Sequence, residues 1–239
     1  MIMQEKISIS IDEELLNKVD SLIGNGMIKK RSQSIEYILK KYFEKDFISK
    51  LVVLVGGAAN TKTLQLIKNI KFLKDYGINE VFLISDKDLD ELKEKIEDLQ
   101  LKVTLIKETE PLGTAGALRL CKNYLNKEFA LIFANIEFEF DFLELINLHK
   151  IKKAVATIGV TTIREGVVAD NIILEGNQIK FYGQGGGQLT NTGTYIFSPS
   201  IFEYLPEKGT FDKDVFPVLA KEGKLYAYLF TDIWKRYTE

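Results

Sequence analysis

The segment ETEPLGTAGALRL (108–120) carries the strongest fold signal in the chain. It follows an apolar run and leads directly into a helical pattern. Gly113, Thr114 and Gly116 stand where the helix begins, and their absent or small side chains let a helix amino terminus approach a ligand closely. A turn of this kind between a strand and a helix is typical of sites that bind phosphate-bearing molecules.

Strand and helix patterns alternate on the amino-terminal side of this segment. The apolar runs are LVVLV (51–55), VFLIS (81–85) and KVTLI (102–106), and the helical patterns cover 64–76 and 89–99. Apolar strands separated by helices indicate a parallel sheet that is covered on both faces. The sequence therefore predicts an α/β domain over residues 51–239, with a mostly parallel sheet flanked by helices.

Composition restricts the remaining possibilities. The 239 residues are 46% hydrophobic with a formal net charge of −2, which allows one sizeable core and a small appended unit. Cys121 is the single cysteine, so a disulfide framework is excluded, and we expect it to be buried. His149 follows an apolar helical stretch, and we expect it at the surface. No stretch reaches about 18 apolar residues and no signal-peptide order is present, so we expect a cytoplasmic protein without a membrane partner.

A separate pattern occupies residues 1–47. The run KISISI (6–11) alternates strictly, as a strand with one apolar face does. Its inward set is Ile7, Ile9 and Ile11, and its outward set is Lys6, Ser8 and Ser10. An edge strand of a larger sheet is the alternative interpretation.

Two helical patterns follow this strand. Asp12 is placed to cap a first helix that runs to about Ile23, where Gly-Asn-Gly (24–26) ends it. Ser32 or Ser34 can cap a second helix with an apolar stripe. A strand and two helices in fewer than 50 residues cannot bury their apolar faces alone, so dimerisation through the strand is expected.

These residues resemble the ribbon-helix-helix family of repressors over most of residues 6–47. In that family, paired strands from two chains enter the major groove. The resemblance implies a dimer, or a dimer of dimers, on double-stranded DNA. It implies base contacts from Lys6, Ser8 and Ser10, and phosphate contacts from Arg31, Ser32 and Ser34.

The second half is similar to the sugar-phosphate nucleotidyltransferases, which join a sugar phosphate to a nucleoside triphosphate and release pyrophosphate. The similarity rests on the segment 108–120, ATIGVT (156–161), TNTGTYIF (190–197) and DVFPVLAKEGKLYAYLF (214–230). It implies a Rossmann-like sheet. The residues that it places at the nucleobase and sugar are Gly56, Gly57, Gly113, Thr114, Gly116, Gly166, Asn191 and Gly193.

Four departures from the family pattern remove charge. The glycine-rich loop lacks its arginine and retains only Lys62, and Gly-Gln-Gly (183–185) stands where the family has Glu-Lys-Pro. Asn135 and Arg236 stand where the family has the two aspartates that hold magnesium. A register shifted by two residues would instead place Glu137 at the first of these positions. Phosphoryl transfer depends on such charges.

From these departures the sequence predicts a pseudoenzyme without catalytic residues, metal or cofactor. The resulting hypothesis is a homodimeric, DNA-binding transcription regulator whose second domain (51–239) senses a ligand or only assembles the dimer. A nucleotide or nucleotide-sugar is the expected ligand if one binds. An active or weakly active sugar-phosphate nucleotidyltransferase that also binds DNA is the alternative.

Overall fold

The computed structural model of the chain describes residues 7–23, 30–43, 48–56, 63–162 and 170–237. The chain divides into two compact units, Met1–Asp46 and Phe47–Glu239. None of the helices in these described ranges is long and apolar enough to cross a membrane.

The first unit contains helices α1 (Glu13–Asp20) and α2 (Arg31–Phe43). Asp12 caps α1 as predicted, because its carboxylate accepts a hydrogen bond of 2.9 Å from the backbone N–H of the second helical residue. The two helices are joined by a two-pronged ion pair. In it, Arg31 Nε and Nη2 donate to the carboxylate of Asp20 at 2.7 and 2.6 Å.

The ends of these helices differ from the prediction. Helix α1 stops at Asp20 because the next residues form a tighter turn, in which Ile23 N donates to Asp20 O at 2.9 Å. Helix α2 begins one turn earlier than a serine cap would allow. The carbonyl of Lys30, just before the helix, accepts the first helical hydrogen bond, from Ser34 N at 3.1 Å. Ser32 and Ser34 therefore lie inside the first turn.

The expected first strand is not formed within one chain. Residues 7–10 belong to no helix or strand, and Lys6 lies outside the described residues, as does the turn 24–26. Ile7, Ile9 and Leu15 are 71%, 52% and 56% exposed. A strand requires a partner for its backbone N–H and C=O groups, and the described part of this unit supplies none.

The second unit is an α/β domain. Its strands are β1 (Lys50–Leu54), β2 (Glu80–Ser85), β3 (Lys102–Lys107), β4 (Phe129–Phe133), β5 (Ile136–Glu139), β6 (Ala156–Thr162), β7 (Asp170–Glu175), β8 (Gln178–Gln184), β9 (Leu189–Phe197), β10 (Leu225–Leu229) and β11 (Ile233–Arg236). Its α-helices are α3 (Thr63–Asp75), α4 (Asp90–Glu97), α5 (Gly113–Arg119), α6 (Phe142–Lys152) and α7 (Phe216–Lys221). The strands predicted at 51–55, 81–85 and 102–106 and the helices predicted at 64–76 and 89–99 are confirmed to within two residues.

Nine of the described strands form one sheet in the order β3-β2-β1-β4-β9-β6-β10-β8-β7. The pairings among β1, β2, β3 and β4 are parallel, but β9 runs antiparallel to both β4 and β6. The β7–β8 pair is antiparallel as well. The prediction of a mostly parallel sheet is therefore wrong, and the sheet is mixed. The error arose because the regular strand-helix alternation breaks after β4: no α-helix separates β4 from β5, or β7 from β8 and β9, and β9 lies antiparallel between β4 and β6.

Alternate residues of β1 enter two different cores. Val52 packs with α5 and α7 on one face of the sheet, whereas Leu51 and Val53 pack with α3, α4 and α6 on the other. This double burial explains why β1 and its neighbour β2 are continuous apolar runs.

His149 and Cys121 are both fully buried. The expectation for Cys121 is confirmed, and burial raises the pKa of its thiol to about 12. The expectation for His149 is wrong. Its ring lies between Thr157 Oγ1, 2.9 Å from Nδ1, and Ser198 Oγ, 3.0 Å from Nε2. These two hydroxyls satisfy the imidazole inside the protein, which the helical pattern alone could not show.

Candidate active site

The candidate site lies at the topological switch point of the sheet. Strand β1 lies between β2 and β4, so chain connections leave it toward both edges of the sheet. The carboxyl ends of β1 and β4 meet there, since Ala134 N donates to Leu54 O at 3.0 Å. In open α/β sheets, the crevice beside this switch point is the usual ligand site.

A cleft of about 300 Å³ opens at this point. Its walls come from the ends of β1 and β2 and from the segment 108–120. The lining residues are Leu54, Val55, Gly56, Ile84, Asp86, Glu108, Pro111, Gly113, Thr114 and Ala117. Of the residues expected to contact a ligand, the structure brings Gly56, Gly113 and Thr114 together in one cavity.

The glycines of the 108–120 segment have an internal reason to be glycine. A Cβ on Gly113, whose φ is +74°, would lie 2.4 Å from Gly209 O, and a Cβ on Gly116 would lie 2.5 Å from Glu207 O. Ala115 N donates to Gly209 O at 3.0 Å. Close approach of another part of the same chain therefore requires the small residues, whereas the sequence analysis attributed them to the approach of a ligand.

Thr114 and Glu108 hold the same segment in place with their side chains. Thr114 Oγ1 accepts from Phe211 N at 3.0 Å, and Glu108 Oε1 accepts from Leu112 N at 2.7 Å. The wall of the cleft is thus tied to the segment that contains Phe211.

A polar cluster adjoins this wall. It consists of Asp170, Tyr182, Asn191, Tyr195 and Asp212, the residue after Phe211. Asn191 Nδ2 donates to Asp212 Oδ1 at 3.0 Å and to Tyr195 Oη at 2.9 Å, and the Tyr182 hydroxyl donates to Asp212 Oδ1 at 2.6 Å. Asp170 Oδ2 accepts from Asn191 N at 2.7 Å. Burial raises the pKa of Tyr182, and burial also raises that of Asp170.

The sequence analysis found only Asn191 and Gly193 of this cluster. Gly193 has a φ of +79° and faces Phe133, and its N–H donates to Asn191 Oδ1 at 3.0 Å. Tyr182, Asp212 and Asp170 were missed because each is a single polar residue within an otherwise ordinary strand or turn pattern. The pattern of β8 gave no signal for Tyr182, because the buried residues Ile179 and Tyr182 are three positions apart and do not follow a strict alternation.

The two positions that the resemblance implies for magnesium ligands are adjacent in the structure. Tyr237 N donates to Asn135 O at 2.8 Å, and Asn135 Nδ2 donates to Tyr237 O at 3.0 Å. Arg236, the preceding residue, lies opposite Ile136 in the β5–β11 pair. The register that aligns Asn135 and Arg236 with the family aspartates therefore agrees with the strand pairing. Glu137 is instead engaged by the Tyr237 hydroxyl and, at 3.6 Å, by Lys235.

These residues do not fit a magnesium ion. Magnesium prefers charged oxygen ligands, whereas Asn135 offers a neutral amide and Arg236 a cation. Among the residues that the structure describes, no group of three or more His, Cys, Asp or Glu side chains could hold a metal.

The remaining expected site residues fall in other places. Gly57, Lys62 and Gly166 lie outside the described residues, and Gly116 is buried behind the cleft wall. In the first unit, Ser8, Ser10 and Ser32 are exposed and Arg31 is paired with Asp20, but Ser34 is fully buried.

The sequence profile of the family described as "Nucleotidyl transferase" matches residues 59–235. The chain belongs to this family. It is 31% identical over 185 residues to "Probable mannose-1-phosphate guanylyltransferase 3" of Arabidopsis thaliana, a match that covers 71% of this chain and 56% of that protein. It is also 31% identical over 185 residues to the mannose-1-phosphate guanylyltransferase catalytic subunit beta of Xenopus tropicalis, covering 71% of this chain and 51% of that protein.

Solved structures of the family share the fold. The crystal structure of HddC from Yersinia pseudotuberculosis complexed with GMP-PN superposes with a TM-score of 0.67 at 21% identity, over 79% of this chain and 93% of that chain. The chain spans about half the length of the curated relatives it matches.

These comparisons correct the functional hypothesis from the sequence. The interpretation as a DNA-binding transcription regulator with a pseudoenzyme domain is wrong, and so is the prediction that the protein is not an enzyme, because the curated relatives are named mannose-1-phosphate guanylyltransferases. The prediction of double-stranded DNA as the partner is wrong as well. Electrostatic stabilisation of a transition state depends on the whole site, so a loss of charge at single positions does not by itself show a loss of activity.

Proposed function

We propose that the second unit is a sugar-phosphate nucleotidyltransferase. In this reaction an oxygen of the sugar phosphate attacks the α-phosphorus of a nucleoside triphosphate. The bond from that phosphorus to the bridging oxygen breaks, and pyrophosphate leaves. The single observation that carries the proposal is the cleft at the β1–β4 switch point, bounded by the 108–120 segment that the chain shares with its family.

Guanosine triphosphate and mannose 1-phosphate are the first substrates to test, because both curated relatives described above are named for that pair. In our proposal the nucleoside occupies the cleft beside Gly56, Gly113 and Thr114, and Gly57, the next residue in the chain, contributes to the same binding. Asp86 and Glu108 also line this cavity. Their carboxylates can accept hydrogen bonds from N–H groups of a base.

The polar cluster is the proposed sugar site. Asp212 is half-buried and follows Phe211, which is bonded to the cleft wall through Thr114. Asn191 and Tyr182 hold its carboxylate in one orientation. A fixed carboxylate is a good acceptor for sugar hydroxyls. Gly193 keeps this part of β9 close to Phe133, and Gly166 is proposed to border the same site.

A substrate panel tests the proposal. The full chain is incubated with each of five nucleoside triphosphates and with mannose 1-phosphate or glucose 1-phosphate, with and without Mg²⁺. We expect one pair to release pyrophosphate and to yield a nucleoside diphosphate sugar of the expected mass. Release no faster than from a heat-denatured sample, for every pair in both buffers, would refute the proposal.

For the first unit, residues 1–47, we propose a ribbon-helix-helix fold that forms a homodimer, distinct from the transferase unit at 51–239. The exposed isoleucines at positions 7 and 9 support it, because a short unit whose described buried residues are only Val19 and Ser34 has little core of its own. Pairing with the same segment of a second copy would cover these side chains and satisfy the strand backbone.

Sedimentation velocity on the full chain tests this dimer. We expect a dimer for the natural sequence and a monomer for Ile7→Lys with Ile9→Lys, since lysine cannot be buried at the centre of the pair. Ser8→Lys with Ser10→Lys adds the same charge to the other face of the segment and should leave the dimer intact. A monomeric natural chain would disprove the arrangement.

A further inference from the structure

The β5–β11 pair places a cation beside the polar cluster, in contact with the backbone of Asn191. Arg236 is the last residue of β11. The next residue, Tyr237, is hydrogen-bonded to Asn135, which lies two residues after the end of β4. Both Asn135 and Arg236 occupy positions where the resemblance implies carboxylates. The positive charge therefore stands where the family pattern has a pair of negative charges.

The guanidinium of Arg236 is held on two sides. Its Nη2 donates to Asn191 O at 2.7 Å, and its Cζ lies 5.5 Å from the centre of the Trp234 ring. Trp234 is itself fixed, because its Nε1 donates to Thr192 O at 2.9 Å. A side chain held in this way loses little further entropy when it binds a ligand.

One donor of this guanidinium is unused. Arg236 Nε is buried and has no hydrogen-bond partner among the described residues. Buried N–H groups are almost always paired, so this one calls for an acceptor outside the described residues, and a bound phosphate oxygen would be such an acceptor. Guanidinium groups bind phosphate oxygens with short, charge-assisted hydrogen bonds.

Asn191 connects this cation to the polar cluster. Its backbone N–H donates to Asp170 at 2.7 Å and its backbone carbonyl accepts from Arg236. The side chain of the same residue binds Asp212. Arg236 is thus positioned beside the proposed sugar site, where the phosphate of a sugar phosphate would meet the nucleotide.

We propose that Arg236 binds the phosphates of the substrates directly and supplies the positive charge that a protein-bound divalent cation would otherwise provide. This inference rests on the proposed transferase function. It follows that phosphate binding at this site does not depend on Mg²⁺ ligands from the protein, in agreement with the poor fit of Asn135 and Arg236 to that ion.

Calorimetric titration of the full chain with GTP, and separately with inorganic pyrophosphate, tests the inference in EDTA and in Mg²⁺. We expect the natural chain to bind in EDTA at least as tightly as in Mg²⁺. Arg236→Gln keeps an amide that can donate to Asn191 O, and we expect it to weaken binding in EDTA by about tenfold to a hundredfold, the effect of losing a hydrogen bond to a charged group. Arg236→Lys should retain part of the affinity.

Lys235→Gln is the matched control. It removes one positive charge from the adjacent residue of the same strand, which is exposed and faces Glu137, so binding should not change. Asn135→Asp with Arg236→Asp restores two carboxylates and should make binding depend on Mg²⁺. Melting temperatures of all variants identify any loss of folding, and Arg236→Lys serves if Arg236→Gln unfolds.

Three results would overturn the inference. They are binding by the natural chain only in Mg²⁺, unchanged binding by a folded Arg236→Gln, and equal losses for Lys235→Gln and Arg236→Gln. The first leaves the proposed function standing, since activity with Mg²⁺ would remain. Absence of binding and of pyrophosphate release in both buffers would instead refute the proposed function, and the inference with it.

Discussion

The side-chain amide of Asn191 donates to the carboxylate of Asp212 across 3.0 Å, which joins the start of β9 to the helical turn Phe211–Val215. The Tyr182 hydroxyl donates to the same oxygen. Asn191 and Tyr182 are both almost completely buried, so neither donor can turn to water when the carboxylate is lost.

We expect Asp212→Ala to lower the free energy of unfolding by about 1 to 3 kcal/mol, because it leaves the buried Tyr182 hydroxyl without its acceptor, whereas Asn191 Nδ2 still donates to Tyr195 Oη. Asp212→Asn keeps an acceptor oxygen and should cost less. Urea unfolding of the full chain measures both. An equal loss for the two variants would show that the hydrogen bonds do not determine the effect.

Gly113 and Gly185 allow backbone strain to be separated from steric clash. Both have a φ in the left-handed region, +74° and +72°, but a Cβ on Gly185 meets nothing within 4 Å, whereas one on Gly113 meets Gly209 O at 2.4 Å. Each alanine substitution should cost about 1 to 2 kcal/mol for the left-handed backbone.

Gly113→Ala should cost about 1 to 3 kcal/mol more than Gly185→Ala, because it also overpacks the contact with Gly209. Thermal and urea unfolding of the two variants give the difference. Equal stabilities would mean that the 206–211 segment moves away without cost, and the tight contact would then not explain the glycine.

Acid should destabilise the protein through His149. Burial lowers the pKa of its ring from 6.5 to about 4, aided by the charge of Lys150. The opposing carboxylate of Glu128 lies 4.0 Å from Nε2 but does not overcome burial. Between pH 6.5 and 4 the unfolded chain therefore binds a proton that the folded chain does not, so stability falls as the pH falls through this range.

The loss between pH 7.5 and 4 should approach about 3 kcal/mol for this group alone. Urea unfolding at several pH values measures it. His149→Gln removes the ionisable ring and should flatten the curve over the same range. A variant with the same slope as the natural chain would assign the acid sensitivity to other groups.

Gly56 offers a way to close the cleft without disturbing the fold. A Cβ at this position meets nothing within 4 Å, and the residue lines the cavity. We expect Gly56→Phe to leave the melting temperature unchanged and to reduce kcat/KM by about a hundredfold, as misplacement of a substrate by about 1 Å does. Gly56→Ala should have a smaller effect. Full activity of Gly56→Phe would place the nucleotide elsewhere.

Local patterns predicted the elements of the parallel half well. Strands β1 and β2 are buried on both faces, so each appears in the sequence as an apolar run, and α3 and α4 each bury one stripe. The antiparallel half was not predicted, because the direction of β9 depends on how it pairs with β4 and β6, and periodicity does not encode direction.

The candidate site was predicted only in part. Gly56, Gly113, Thr114 and Asn191 were found because they belong to recognisable segments. Asp170, Tyr182 and Asp212 were not, since isolated polar residues in different segments carry no common pattern before folding places them around Asn191.

The amino-acid sequence by itself determined the α/β class, the boundaries of the early strands and helices, and the family signal in 108–120. These features depend on neighbours in the chain, where the spacing of side chains and the capping groups act directly. The mixed sheet, the burial of His149 and the contact of Gly113 with Gly209 were decided only by the tertiary structure. Each of these brings together residues far apart in the chain, and their energies exist only after the sheet has formed.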